Sequence, residues 1–258
     1  MSTVNLTDLD CFGAFSYQWY ADGVAIDGAT ISPLYLTQNE VGKRITLVIS
    51  YQDQYGYNET IVSSQSAKVA NVNDAPSGSI SISGTVEENS TISAVTSSLS
   101  DEDGLGTFSY QWSADGTPIE GAILADYQLV QGDVGKAITL TVCYQDQQGT
   151  TESVSSLPTA RVVNVNDLPQ GNVIISGTVQ EYETLSSDVT GITDADGLGT
   201  IEYQWKADDV AIQGATLSEL VISPNETGKR ITLTVSYTDA QGTAEALTSS
   251  STSSVQNA

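Results

Sequence analysis

The side chains with chemistry to offer are acids, and they come in sets. Asp101 and Asp103 open a loop that continues Gly104-Leu105-Gly106, and the same loop returns as Asp194, Asp196 and Gly197-Leu198-Gly199. Asn73-Asp74 returns as Asn166-Asp167, each two residues ahead of a proline, and Asp146 returns as Asp239 behind a long alternating segment. No Lys or Arg stands inside these sets. Carboxylates crowded without a basic partner repel one another, and a hard divalent cation with oxygen ligands relieves that repulsion. Calcium suits the set, because it accepts carboxylates, side-chain amides and carbonyls in loose geometry. A second reading is purely local. Asp-x-Asp-Gly is also good turn chemistry, in which the Asp side chains accept from nearby amides and Gly takes positive φ. The loop is not an EF-hand, since the third ligand position and the distant Glu are missing.

Little else in the chain is reactive. Its 258 residues carry 8 Lys+Arg against 32 Asp+Glu, no His and two Cys, for a formal charge of −24. Without His there is no Ser/His/Asp relay, no HExxH zinc site and no imidazole base. Carboxylate pairs can hydrolyse glycosides, but here the pairs recur at loops, as structural motifs do. The charge repels phosphate backbones and anionic lipid, so nucleic acid and membrane surfaces are poor partners. No run approaches the ~20 apolar residues of a membrane helix. The first ten residues have neither the basic start nor the apolar run of an export signal, so a signal, if there is one, lies outside this chain. Cys11 and Cys143 are too few for a disulfide framework, and a free thiol is expected at Cys143.

The elements that position these acids follow from an internal repeat. Tyr17-Gln18-Trp19 recurs as Tyr110-Gln111-Trp112 and Tyr203-Gln204-Trp205, a constant period of 93 residues with no gaps. Pro76 and Pro169 mark linkers after Asn71-Val72-Asn73-Asp74 and Asn164-Val165-Asn166-Asp167, which places the units at 1–73, 74–166 and 167–258. Within the second unit, Phe108, Tyr110 and Trp112 alternate inward, as do Ile138, Leu140, Val142 and Tyr144. Seven short strands with regular turns predict an all-β protein of antiparallel sandwiches, each unit close to the ~100 residues of an immunoglobulin-type domain, strung into an elongated array. The three Trp occupy the core position of the third strand rather than a sugar-stacking surface.

The YQW segment, Val134-Gly135-Lys136 running into Ile138-Thr139-Leu140, the Tyr144 and Asp146 exit and the NVND-x-P linker together resemble the bacterial immunoglobulin-like repeats of very large secreted adhesins, in the company of VCBS and cadherin-like arrays. The resemblance spans the whole chain. It implies a non-catalytic extender at the cell surface or outside the cell, monomeric and joined to neighbouring repeats of a longer chain. In that topology three loops meet at one end of a unit. They would gather Asn73, Asp74, Asp101, Asp103 and Asp146 at the first junction and Asn166, Asp167, Asp194, Asp196 and Asp239 at the second, to hold Ca2+. The linker resembles the calcium linker DxNDN of cadherins, except that Asn71 and Asn164 replace its leading Asp, so the full multi-ion site is not implied. Two other functions compete: a binding module that holds a glycan or protein on its outward Ser and Thr rows, and an accessory region of a secreted hydrolase.

The first unit departs from the pattern. Its acidic loop reads Asp8-Leu9-Asp10-Cys11-Phe12-Gly13, and Tyr55 and Tyr57 add an aromatic tip. That tip either packs under another repeat or binds a partner. Met1 aligns with Ala94, so nothing in this chain corresponds to Pro76–Ser93. The expectation is an open-edged first unit, the least stable of the three, in a fragment of a longer array.

Overall fold

A computed structural model describes Cys11 and residues 13–258. Asp8, Asp10 and Phe12 of the first acidic loop lie outside the described residues. The architecture is all-β, with three short 3-10 turns as its only helical pieces among the described residues. No helix there is long and apolar enough to cross a membrane.

The first repeat contributes β1 (Ser16–Ala21), β2 (Val24–Ala25), β3 (Ile45–Gln52) and β4 (Asn58–Val62). The second contributes β5 (Ser81–Ser83), β6 (Thr91–Val95), β7 (Ser109–Ala114), β8 (Thr117–Pro118), β9 (Asp126–Gln128), β10 (Ile138–Gln145) and β11 (Thr151–Ser155). The third repeats that order as β12 (Ile174–Ser176), β13 (Thr184–Asp188), β14 (Glu202–Ala207), β15 (Val210–Ala211), β16 (Glu219–Val221), β17 (Ile231–Thr238) and β18 (Ala244–Thr248). In the third repeat the sheets run β15-β14-β17-β18 and β12-β13-β16, all antiparallel, the strand order of an immunoglobulin-type sandwich. The second has the equivalent sheets β8-β7-β10-β11 and β5-β6-β9.

Period-two alternation explains the core. Ile231, Leu233 and Val235 of β17 face Trp205, Leu185 and Ile222, all fully buried, while Thr234 of β17 turns outward and pairs its hydroxyl with Thr248 of β18 at 3.0 Å. The Trp205 indole N–H donates to the Leu217 carbonyl at 2.8 Å, so the buried ring has its polar handle satisfied. Trp112 and Trp205 are both core side chains, as the alternation requires. Cys11 and Cys143 are free thiols.

The chain packs as two compact units. One takes the described residues through Ser81 with Val95–Tyr110 and Thr141–Ser156; the other takes Ile82–Ala94, Gln111–Leu140 and Leu157–Ala258. Each unit therefore contains one linker and the loops on both sides of it.

Among the described residues the first repeat has a single sheet, β2-β1-β3-β4. Trp19 is only half-buried, and Tyr55 and Tyr57 are exposed. With one sheet in place of two, β3 has fewer apolar neighbours to hold it closed. We expect the amides of Ile45, Leu47 and Ile49 to exchange with solvent faster than those of Ile231, Leu233 and Val235, read by hydrogen exchange in a dilute sample. Equal protection of the two sets would contradict this account.

Candidate functional site

The second linker shows how the acids are used. Asp194 opens an Asx turn: its Oδ1 accepts from the Asp196 N–H at 2.9 Å, and Gly197 follows at φ +92°. Its other oxygen accepts from the Tyr237 hydroxyl at 2.5 Å. Burial, with the Asp194 carboxylate beside it, pushes the Tyr237 phenol well above its ordinary value. Two residues further on, Gly199 lets the loop lie against the end of β17; a Cβ there would sit 1.9 Å from the Thr238 carbonyl oxygen. The loop is thus pinned to the strand, and Asp196 projects inward, only 2% exposed.

Asp196 is the meeting point. Its Oδ2 accepts from the Asp167 backbone N–H of the linker at 2.8 Å, and its Oδ1 accepts from the Gln131 amide at 3.0 Å. Gln131 lies in the 3-10 turn Gln131–Asp133 of the preceding repeat, so one carboxylate ties together two repeats and the linker between them. Glu88, 4% exposed, comes from the segment ahead of β6 and accepts from the Val165 N–H at 3.2 Å. Carboxylate oxygens of Glu88, Asp167 and Asp196 all lie within 4.8 Å of one another. That spacing fits one calcium, whose oxygen ligands stand 2.3–2.6 Å from the ion. The N–H bonds already made do not forbid it, since each carboxylate oxygen has two lone pairs.

The other residues of the expected set go elsewhere. Asp239 uses Oδ1 for its own hairpin, accepting from Gln241 and Thr243 N–H at 2.8 Å each. Its Oδ2 is buried without a partner, as are Asn164 Oδ1 and Gln131 Oε1. The Asn166 amide donates to Glu245 of β18 at 2.8 Å. Asp194, held by Tyr237 and its turn, is not in the three-carboxylate group.

The first linker reproduces the bonds of Asp194, Asp196, Asn166 and Asp239 one period earlier. Asp103 accepts from the Asp74 N–H at 2.8 Å and from the Gln38 amide at 2.6 Å. Asp101 takes the Tyr144 hydroxyl at 2.5 Å and the Asp103 N–H at 2.9 Å, Asn73 donates to Glu152, and Asp146 closes its own hairpin. Asp146 Oδ2 and Asn71 Oδ1 again are buried without partners. Among the described residues no third acid joins Asp74 and Asp103. The Asp74 N–H above all, with the Asn71 and Gln38 amides, holds the Asp103 carboxyl below its usual range against the opposing effect of burial.

Gln38, Gln131 and Glu88 escaped the reading of the sequence. The two glutamines do stand one period apart, a signal that was available, but Pro224 holds the position in the third repeat. Glu88 returns one period later as Glu181, a second signal that was available.

These features define a class: an all-β protein of immunoglobulin-like sandwiches whose acidic loops are organised around the linkers. No protein-family model matches the chain. Over 172 residues it is 27% identical to the highly immunogenic outer capsid protein of Enterobacteria phage T4, a match covering 63% of this chain and 44% of that protein, less than half its length. Among solved structures it is similar to a Ca2+-stabilized adhesin with which an Antarctic bacterium binds ice (14% identity, TM-score 0.32, 96% of this chain and 66% of that one). It is also similar to three N-terminal domains of the bacteriophage RB49 outer capsid protein (14% identity, TM-score 0.27, 98% and 91%).

Two outcomes follow from the carboxylate geometry. Replacing Asp196 with Ala leaves the Asp167 N–H and the Gln131 amide without their acceptor, at about 1–3 kcal/mol for each group that stays buried. A urea melt checks this, and Gln131→Ala in the same background should then cost nothing further, because the bond is already gone. For Asp103 the folded value is below the unfolded one, so its contribution to stability is complete above the unfolded carboxyl value and is lost as pH falls through the folded value. Stability of Asp103→Asn, measured against pH, should lack that acid limb.

Proposed function

We propose that this chain is a non-catalytic spacer displayed outside the cell, an extender segment of a bacterial surface adhesin whose second linker is stiffened by calcium. The observation that carries the reading is the gapless return, at both linkers, of one bond set that joins two repeats through a single Asp. A catalytic protein gathers its acids once in a cleft; this one spends them on joints. Glu88, Asp167 and Asp196 would hold the ion, with Gln131 Oε1 and Asn164 Oδ1 as further unpartnered oxygens in the linker region. Bound there, the cation would neutralise the three carboxylates. The chain's own groups do the rest: the Asp167 N–H and the Gln131 amide orient Asp196, and the Val165 N–H orients Glu88.

The three repeats correspond in this reading to 1–73, 74–166 and 167–258, with partners in neighbouring repeats of a longer polypeptide. A second reading is favoured by the likeness in sequence to the phage outer capsid protein: the same kind of array carried on a virion surface. Antibodies against the chain would distinguish them by labelling cell envelopes or phage heads.

Calcium at 100 times its dissociation constant should add about 2.7 kcal/mol per site. The melting temperature of the full chain should therefore rise on going from chelator to excess calcium, and Glu88→Gln should remove most of that rise. An unchanged melting temperature would leave the acids as turn and hinge hydrogen-bond acceptors alone.

A further inference from the structure

In the second repeat the strip Val86–Ser90 lies against the last residues before the second linker. Val163 donates to the Val86 carbonyl at 3.1 Å and accepts from the Glu88 N–H at 2.9 Å. The pairing of Glu87 with Val163 is parallel, unlike that of β10 with β11 or of β6 with β9. Glu88 adds a third bond with its side chain, which accepts from the Val165 N–H at 3.2 Å, two residues further along the exit. Behind these bonds the strip turns at Asn89, φ +62°, a conformation Asn tolerates better than most residues. The Asn89 N–H then donates to the Leu129 carbonyl and the Leu129 N–H to the Ser90 carbonyl, both at 2.9 Å, and Leu129 is fully buried. The third repeat does the same. Its Glu181 N–H donates to the Gln256 carbonyl and its Gln256 N–H to the Val179 carbonyl, each at 3.0 Å, again as a parallel pair, and Tyr182 turns at φ +65° to bond the fully buried Ile222.

Strand direction decides how such a pair answers a pull. The strip belongs to the segment by which the chain enters the repeat, and Val163 to the segment by which it leaves. Tension along the chain therefore draws Val86 toward the start of the chain and Val163 toward its end. In a parallel pair those two pulls oppose each other along a common axis, so the bonds between the partners share the load and must yield together. In an antiparallel hairpin pulled open from its ends they yield one at a time, each with little resistance. The anchorage behind the strip matters too, since Val86–Glu88 cannot slide out without also breaking the bonds of Asn89 and Ser90 to Leu129.

We infer that the second and third repeats bear tension along the chain, and that the parallel pairing of the entry strip with the exit segment is the element that resists it. In the second repeat the Glu88 carboxylate lengthens this tie onto the linker itself, because it holds Val165 beyond the last backbone pair. A tie of this kind sets the rate at which a repeat opens under load, as contacts broken on the way to the unfolding transition state do. Bonds elsewhere in the sandwich add to its stability at rest and leave that rate alone. Tension bearing goes beyond the spacer reading, since it follows from strand direction and stands whether or not the second linker holds calcium.

The test holds the full 258-residue chain by its two ends in a single-molecule force instrument and reads the rate of each unfolding step at constant load. Chelator is present throughout, so the cation plays no part. Glu88→Ala should speed one step about tenfold, as the loss of one hydrogen bond to a charged acceptor implies, and leave the other steps as they were. Glu88→Gln keeps an oxygen for the Val165 N–H and should recover most of that loss. Gln111→Ala is the control for stability lost elsewhere, because it removes two bonds of the β7–β8 hairpin, to the Trp112 and Ile119 carbonyls at 2.8 and 2.9 Å, that do not tie entry to exit. It should lower the urea midpoint and change no rate under load. Any of three outcomes would overturn tension bearing by the strip: no change of rate in Glu88→Ala, a Glu88→Gln as fast as Glu88→Ala, or a Gln111→Ala that speeds a step as much.

Discussion

The structure turns on a carboxylate that accepts a linker N–H. In Asp103 and Asp196 one small group takes the backbone N–H of the residue that begins the next repeat and the amide of a glutamine in the repeat before. Hydrogen bonds to an ionised acceptor are stronger than neutral ones, and these carboxylates are nearly wholly buried, where an unmet charge would be costly. The linker therefore has one well-bonded course and few competitors. Everything around it serves to present that carboxylate: the Asx turn of the preceding Asp, the tyrosine that holds its second oxygen, and the glycine that lets the loop lie on a strand end.

The acids divide by the bonds they make. Asp101, Asp194, Asp146 and Asp239 carry bonds that shape their own loops. Asp167 and Asp196, joined by Glu88, are the ones whose oxygens face each other. A loop that folds itself with one acid and offers the next is economical in sequence, since two positions apart on a tight turn can point in different directions. It also explains why the acids occur in pairs rather than singly.

Strict alternation in an eight-residue strand such as Ile231–Thr238 names its buried face without ambiguity, and the period of 93 names the equivalents in the other repeats. The fold was therefore legible from the chain alone. So was the pairing of Asp167 with Asp196, because both belong to motifs that recur. Gln131 and Glu88 were not legible, because each acts across a boundary on a residue 65 or more positions away, and neither sits in a recognisable motif. A repeat search finds what is the same in every copy. Gln131 is not the same in every copy, because the third repeat has proline instead.

The cross-linker bond has a further consequence for how such a chain can change length. Gln38 reaches Asp103 and Gln131 reaches Asp196, a separation of 65 residues each time, inside a period that admits no gaps. Excising one full period, within a strand as readily as within a linker, leaves a glutamine 65 residues ahead of an aspartate. Recombination between copies need not respect a structural boundary to leave a working joint behind. The array is in this sense indifferent to where it is cut, provided the cut is in register.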